Sequence, residues 1–154
     1  MRSSVPAALD YLVQQVRLLP ECAPPVTVED GWPATRHTAD LVTIGINPEG
    51  EDTTIATDYA MLSGEEHETV DVPSLVSCHA AGENAASRAR IKAYTILGAI
   101  QDLVQRDRTL GGAIVPGTQA RLHRVAMEPT WQATQAGEGR WCDLRFWISW
   151  QHRG

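Results

Sequence analysis

Cysteine and histidine are the residues of this chain best suited to nucleophilic catalysis, acid–base catalysis or metal binding. Their spacing does not indicate a catalytic or metal site. The 154 residues include five histidines and three cysteines, Cys22, Cys78 and Cys142. No CxxC, HExxH or HxH motif occurs, so neither a zinc ribbon nor a redox pair is indicated. Cys78 and His79 are consecutive on a predicted strand and point to opposite faces, so a catalytic Cys78 would need a base from elsewhere. We therefore predict reduced, buried thiols, no metal and no cofactor.

Acidic residues in the middle of the chain are candidates for interaction rather than catalysis. Residues 48–64 show no clean hydrophobic period, and ordered loops of this length often carry function. Residues 58–62 alone are compatible with a short helical turn. The acidic candidates are Glu49, Glu51, Asp52 and Asp58.

Basic and aromatic residues supply the remaining candidates. Arg88 and Arg90 fall in the first turns of a predicted helix, where cations oppose the helix dipole. They form either a solvated face or a site for phosphate or for acidic residues of a neighbouring subunit. Trp141 and Trp147 share a strand face with charged residues, and either pack beneath a helix or belong to a protein interface.

A long central helix is the clearest element of the sequence. Apolar residues recur at three- and four-residue steps between residues 83 and 107, which predicts a helix with one buried face. They are Ala85, Ala89, Ala93, Ile96, Leu97, Ile100, Leu103 and Val104. The helix is predicted to stop in the run 107–112, where Gly111 and Gly112 permit left-handed backbone. These glycines follow a helix, so they do not form a phosphate loop, which precedes one.

The elements on either side of this helix define the fold class. A first helix is predicted after Ser3 or Ser4, with an apolar stripe up to Leu19 and Pro20 as its end. Strands are predicted over 26–30, 40–46, 65–81, 121–135 and 140–151. Pro73 indicates an edge or a bulge, and Pro129 indicates another bulge. This order predicts an α+β fold, a mostly antiparallel sheet with the N-terminal and central helices packed on one face, as a single domain over residues 1–154.

Composition and charge argue against two classes of function, nucleic-acid binding and membrane insertion. The formal net charge of −6 argues against a general nucleic-acid binder, which needs clustered Lys and Arg. No apolar h-region follows the first residues, and no run approaches the length of a membrane span. We expect a protein that is cytosolic when made and has no membrane partner.

The order of elements resembles the tail terminator proteins of long-tailed bacteriophages, also called minor tail or tail completion proteins. The resemblance covers most of the chain. It is carried by the N-terminal helix, the two strands 26–30 and 40–44, the polar strand leading into residues 76–80, the helix 85–106 with the turn 107–112, and two final strands.

The resemblance implies a structural assembly protein of the virion, not an enzyme. The resemblance implies that copies of the chain form a hexameric ring. This ring would cap the tail tube, stop its growth and join it to the head-completion, or stopper, protein. DNA would pass through the lumen without specific binding, and assembly would take place in the host cytoplasm. The runner-up is another neck, head-closure or tail-tube component; an enzyme using Cys78 or the histidines and a monomeric adaptor domain are further alternatives.

Overall fold

A computed structural model of the chain describes residues 3–31, 40–45, 55–115, 119–127 and 139–153. Within these ranges two α-helices and six strands occur, with a short 3₁₀ turn at Pro20–Cys22. The helices are α1 (Val5–Arg17) and α2 (Ala85–Arg106). The strands are β1 (Thr27–Asp30), β2 (Leu41–Ile44), β3 (Ala56–Leu62), β4 (Glu65–Ala80), β5 (Arg121–Met127) and β6 (Arg140–Arg153).

The six strands form one mixed, mostly antiparallel sheet, which confirms the predicted α+β class. The strand order is β1-β2-β4-β6-β5, and β3 also pairs with β4. β1 and β2 are parallel, whereas the other pairs are antiparallel. β4 and β6 pair from His67 with Arg153 to Ala80 with Arg140, so these two long strands form the centre of the sheet.

The core lies between one side of this sheet and the two helices, and we call that side the helix side. The alternating residues of β6 predicted to share an apolar face are all buried there: Cys142, Leu144, Phe146, Ile148 and Trp150. All eight residues predicted for the apolar face of the central helix are also buried. Helix and strand periodicity therefore identified the core correctly, because each pattern matches a surface that faces other apolar groups.

The prediction of a helical turn at 58–62 is wrong, because these residues belong to β3. β3 pairs residue by residue with β4, from Ala56 with Asp71 to Leu62 with Glu65. Ser63 and Gly64 join the strands, with φ of 53° and 81°. Two consecutive positive φ angles are typical of the tight turn that matches the twist of a hairpin.

Pro73 lies in β4, which is a central strand and not the predicted edge strand, but its own position pairs with no described strand on one side, as at an edge. It is opposite Trp147 of β6. On its other side, the pairing of β3 ends at Asp71 and that of β2 begins at Leu75. A proline is tolerated here because no described strand lies beside it to receive an N–H bond. A bulge does occur in β5, between Leu122 and Arg124, whereas Pro129 lies outside the described residues.

The central helix ends before its two glycines rather than at them. Asp107 is the C-cap, and its extended φ and ψ of −139° and 90° stop the helix. Its carboxylate then holds the following turn by accepting bonds from the N–H groups of Thr109 (3.1 Å) and Gly111 (3.0 Å) and from the Tyr11 hydroxyl (3.3 Å). Gly111 and Gly112 adopt the predicted left-handed backbone within this turn, with φ of 68° and 85°.

Gly111→Ala is expected to cost more stability than Gly112→Ala. Both substitutions force alanine into left-handed backbone, at about 1 kcal/mol. A Cβ at Gly111 would also lie 2.5 Å from Cδ2 of Tyr11, whereas at Gly112 it would meet no atom within 4 Å. Displacing the Tyr11 ring raises the expected total at Gly111 to about 2–3 kcal/mol. Urea unfolding of the two variants measures the difference, and equal costs would contradict the contact with Tyr11.

Candidate assembly surfaces

The β3–β4 hairpin carries exposed apolar side chains together with carboxylates. Tyr59, Met61 and Leu62 are 56%, 67% and 55% exposed. Tyr59 and Met61 are paired with Glu68 and Glu66, which places them on the helix side of the sheet. Asp58, one of the predicted interaction residues, is exposed on the opposite side. The hairpin therefore exposes Tyr59 and Met61 on the helix side, and Asp58 together with Leu62 on the opposite side.

β5, at the other end of the sheet, also combines apolar and charged side chains. Val125 and Met127 are 38% and 52% exposed, and they are paired with Phe146 and Leu144 on the helix side. Arg121 and Arg124 lie opposite Ser149 and Trp147, on the other side of the sheet. This edge is therefore apolar on the helix side and basic on the opposite side.

The two predicted tryptophans lie on the sheet side opposite the helices. Trp147 is only 8% exposed, and the Arg124 guanidinium lies 4.5 Å from the centroid of its ring. Trp141 is half-buried, and its ring centroid is 4.8 Å from that of His79. Neither ring packs beneath a helix, which corrects that alternative, and Trp147 is buried by contacts within its own chain.

Arg88 binds backbone carbonyls at the start of α2. Its Nε donates to the Glu83 carbonyl at 3.0 Å, and its Nη2 donates to the Ala81 carbonyl. Arg90 is exposed on the same helix. A role of either residue in binding a neighbouring subunit stays a prediction, although Arg88 already has partners that fix the β4–α2 connection.

Lys92, one turn further along α2, ties the helix to the sheet. Its Nζ lies 2.7 Å from Oδ2 of Asp40 and donates to the His79 carbonyl at 2.7 Å. Oδ1 of Asp40 accepts the His79 N–H at 2.8 Å. Arg88 and Lys92 at this helix start therefore stabilise the fold, because their charge-assisted bonds to carbonyls and to Asp40 offset the unfavourable helix dipole.

A buried carboxylate, Glu68, is the polar residue whose role the sequence did not indicate. Its side chain is fully buried on the helix side and accepts hydrogen bonds from the Ser4 N–H (3.0 Å) and the Ser4 hydroxyl. The Trp150 indole N–H donates to the same hydroxyl at 2.8 Å. Ser4 precedes α1 but does not cap it with its side chain; the Val5 N–H donates to the Ser3 hydroxyl at 3.2 Å. The one signal in the sequence is that Glu68 shares a strand face with Val70 and Val72; its closeness to the start of α1 depends on the tertiary fold.

Burial and hydrogen bonding have opposite effects on the pKa of Glu68. Burial alone would raise it, but the hydrogen bonds from Ser4, with contributions from Ser3 and Tyr59, lower the pKa below its ordinary value. Glu68 is therefore a carboxylate at neutral pH, placed at the positive end of the α1 dipole.

The three cysteines are free and buried, as predicted. Burial, together with the nearby Asp40 carboxylate, raises the pKa of Cys78 to about 12. Burial raises the pKa of Cys22 to about 11, and burial also raises the pKa of Cys142. Thiolates are the reactive form, so Cys78 is poorly suited to act as a nucleophile at neutral pH.

Three predicted acidic residues, Glu49, Glu51 and Asp52, lie outside the described residues. Among the residues that the structure does describe, no group of three or more His, Cys, Asp or Glu is placed to hold a metal ion. Neither described helix has the length and apolar character required to cross a membrane.

Proteins similar to this chain are found among solved structures. No family model matches the chain, and no curated protein matches it. Among solved structures, a chain described as "Virion of native gene transfer agent (GTA) particle" is 16% identical, with a TM-score of 0.48. That match covers 98% of this chain and 99% of the other.

Proposed function

We propose that this protein is a structural assembly protein of a virion or virion-like particle, and specifically a ring-forming tail terminator. In this role copies of the chain form a ring, hexameric in the tail terminators that the sequence resembles, on the last ring of the tail tube. The ring stops tube growth, presents its other face to the head-completion protein and lets DNA pass through its lumen.

The observation that carries this proposal is where the chain exposes its large apolar side chains. Among the residues that the structure describes, five of the eight exposed large apolar side chains lie on β3 and β5: Tyr59, Met61, Leu62, Val125 and Met127. Single exposed apolar residues are common, but concentration at sheet edges indicates surfaces that other chains cover.

Charge supports the same role. The chain has a formal net charge of −6, and a lumen wall of that sign would repel phosphate, so DNA could slide without adhering. The order of helices and strands agrees with the resemblance, including the long helix between two parts of the sheet. These features also support the alternative of another neck or tail-tube component, which would share ring assembly.

The decisive experiment measures the mass of the purified protein by light scattering at low and high concentration, followed by negative-stain imaging. The same protein is then mixed with tail tubes purified from the particle that carries it. Rings of about six subunits that cap one end of each tube support the terminator. Rings that bind no tube end, or copies spread along the tube, support the alternative component. A monomer that also fails to bind tubes overturns both.

A further inference from the structure

We propose that the subunits of this ring join through their sheet edges, with β3 of one copy pairing with β5 of the next. This proposal rests on the proposed ring and specifies the surface that closes it. The partner is a second copy of the same chain, and the contact is head-to-tail.

The backbone directions allow this pairing. Within the described part of the chain, the outer edges of β3 and β5 pair with no other strand. β3 is antiparallel to β4, whereas β5 runs parallel to β4, because both β4 and β5 are antiparallel to β6. A rotation about an axis along the strands keeps the direction of β4, so β3 of one copy meets β5 of its neighbour in antiparallel orientation. Such an interface is heterologous and can close into a ring.

The apolar side chains of the two edges lie on the same side of the sheet. Tyr59 and Met61 of β3 are on the helix side, and so are Val125 and Met127 of β5. All four are exposed, by 38% to 67%. In a sheet continued from one copy to the next, the apolar side chains of the two edge strands meet on this side, and such cross-strand contacts stabilise strand pairing.

The charges of the two edges are complementary on the other side of the sheet. Asp58 of β3 lies there, as do Arg121 and Arg124 of β5. Residues 56–67 contain three carboxylates and no Lys or Arg, whereas residues 119–127 contain two Arg and no Asp or Glu. Pairing two β3 edges, or two β5 edges, would bring like charges together, so the charge pattern favours head-to-tail pairing over a symmetric dimer.

Charge reversal at each edge tests the pairing. Asp58→Arg alone and Arg124→Asp alone each place like charges at every subunit contact. We expect each variant to need at least about tenfold higher concentration for assembly than the wild type. When the two variants are mixed in equal amounts, opposite charges face each other at every contact of an alternating ring. The mixture should therefore assemble at a concentration close to that of the wild type.

Sedimentation velocity measures these four samples, with Asp102→Arg as the matched control. Asp102 is exposed on α2, away from both edges, so this variant should assemble like the wild type. Circular dichroism checks that each variant is folded. Because Arg124 also stacks on Trp147, Arg121→Asp replaces Arg124→Asp if the latter does not fold.

The possible results separate the edge pairing from the ring itself. Two non-assembling variants whose mixture assembles support the proposal. Variants that assemble like the wild type overturn the edge pairing but do not contradict the proposed ring. A wild type and a mixture that both stay monomeric, alone and with tail tubes, overturn the edge pairing together with the proposed function.

Discussion

Replacing Glu68 with alanine is expected to lower the free energy of unfolding at pH 7 by about 3–5 kcal/mol. The substitution removes the acceptor of the Ser4 N–H and of the Ser4 hydroxyl, which in turn accepts the Trp150 indole N–H. These groups would stay buried with fewer partners, and the first turn of α1 would lose a favourable negative charge. At about 2–4 °C per kcal/mol for a chain of this size, the midpoint temperature should fall by roughly 10 °C.

The pH dependence of the unfolding free energy shows whether the charge of the Glu68 carboxylate produces this stabilisation. The pKa of Glu68 is lower in the folded state than its ordinary value of 4.5, so the unfolded chain binds the proton more tightly. The stabilisation is therefore complete above that ordinary value and is lost as pH falls through the lowered folded pKa. Glu68→Gln, which keeps the shape of the side chain, should unfold with a shallower dependence on acid than the wild type.

Urea unfolding at neutral pH and in steps down to acid measures this effect. Glu65→Gln is the control, because Glu65 lies on the same strand but its side chain is 61% exposed. It should leave both the stability and its acid dependence nearly unchanged. A stability difference between wild type and Glu68→Gln that is constant with pH would contradict the role of the charge.

Phe146→Ala is expected to destabilise the chain by about 3–5 kcal/mol, since Phe146 is fully buried on the helix side of β6. The lost ring leaves a cavity between the sheet and the helices. Phe146→Leu, which removes less volume and stays apolar, should cost clearly less, about 1–2 kcal/mol. Chemical denaturation measures both, and a cost of Phe146→Ala below that of Phe146→Leu would contradict the packing.

Trp147→Ala, one residue further along β6, separates a fold role from an assembly role on the opposite side of the sheet. Trp147 is buried and stacks on Arg124, so the monomer should also lose about 2–4 kcal/mol. Because Arg124 belongs to the β5 edge, assembly of the remaining folded protein should weaken as well. Unfolding and sedimentation of one preparation measure both effects, and an unchanged monomer stability would show that Trp147 is not part of the core.

Strong periodicity allowed most of the fold to be predicted, and weak periodicity explains the main error. α2 and β6 each alternate between a buried and a solvent-facing surface, so their sequences carry the pattern of their surroundings. β3 has six exposed residues of seven, so burial imposes no alternation on it. Its strand conformation comes from pairing with β4 and from the Ser63–Gly64 turn. A Ser-Gly pair between two extended segments is the sequence signal for this hairpin.

The candidate site was predictable in part. Asp58 and Trp147 do lie on surfaces used in the proposals, but the apolar residues Tyr59 and Met61 were hidden by the expectation of a loop. Glu68 lies in an ordinary polar alternation of the sequence. Its partner Ser4 is 64 positions away, and Trp150, which donates to the Ser4 hydroxyl, is 146 positions from Ser4. Contacts at such separations depend on the tertiary fold and leave no local pattern.

The position of β6 has a consequence for how the chain is made. β6 is central in the sheet, yet it follows every other described strand in chain order. β3 and β5 are therefore synthesised before β6, which is the strand that pairs with both β4 and β5. The hydrogen bond from Trp150 to Ser4 also requires β6. Contacts between distant parts of a chain form slowly and late. A partly synthesised chain consequently cannot present both edges in their final geometry, so in the proposed ring only chains that include β6 could join their neighbours.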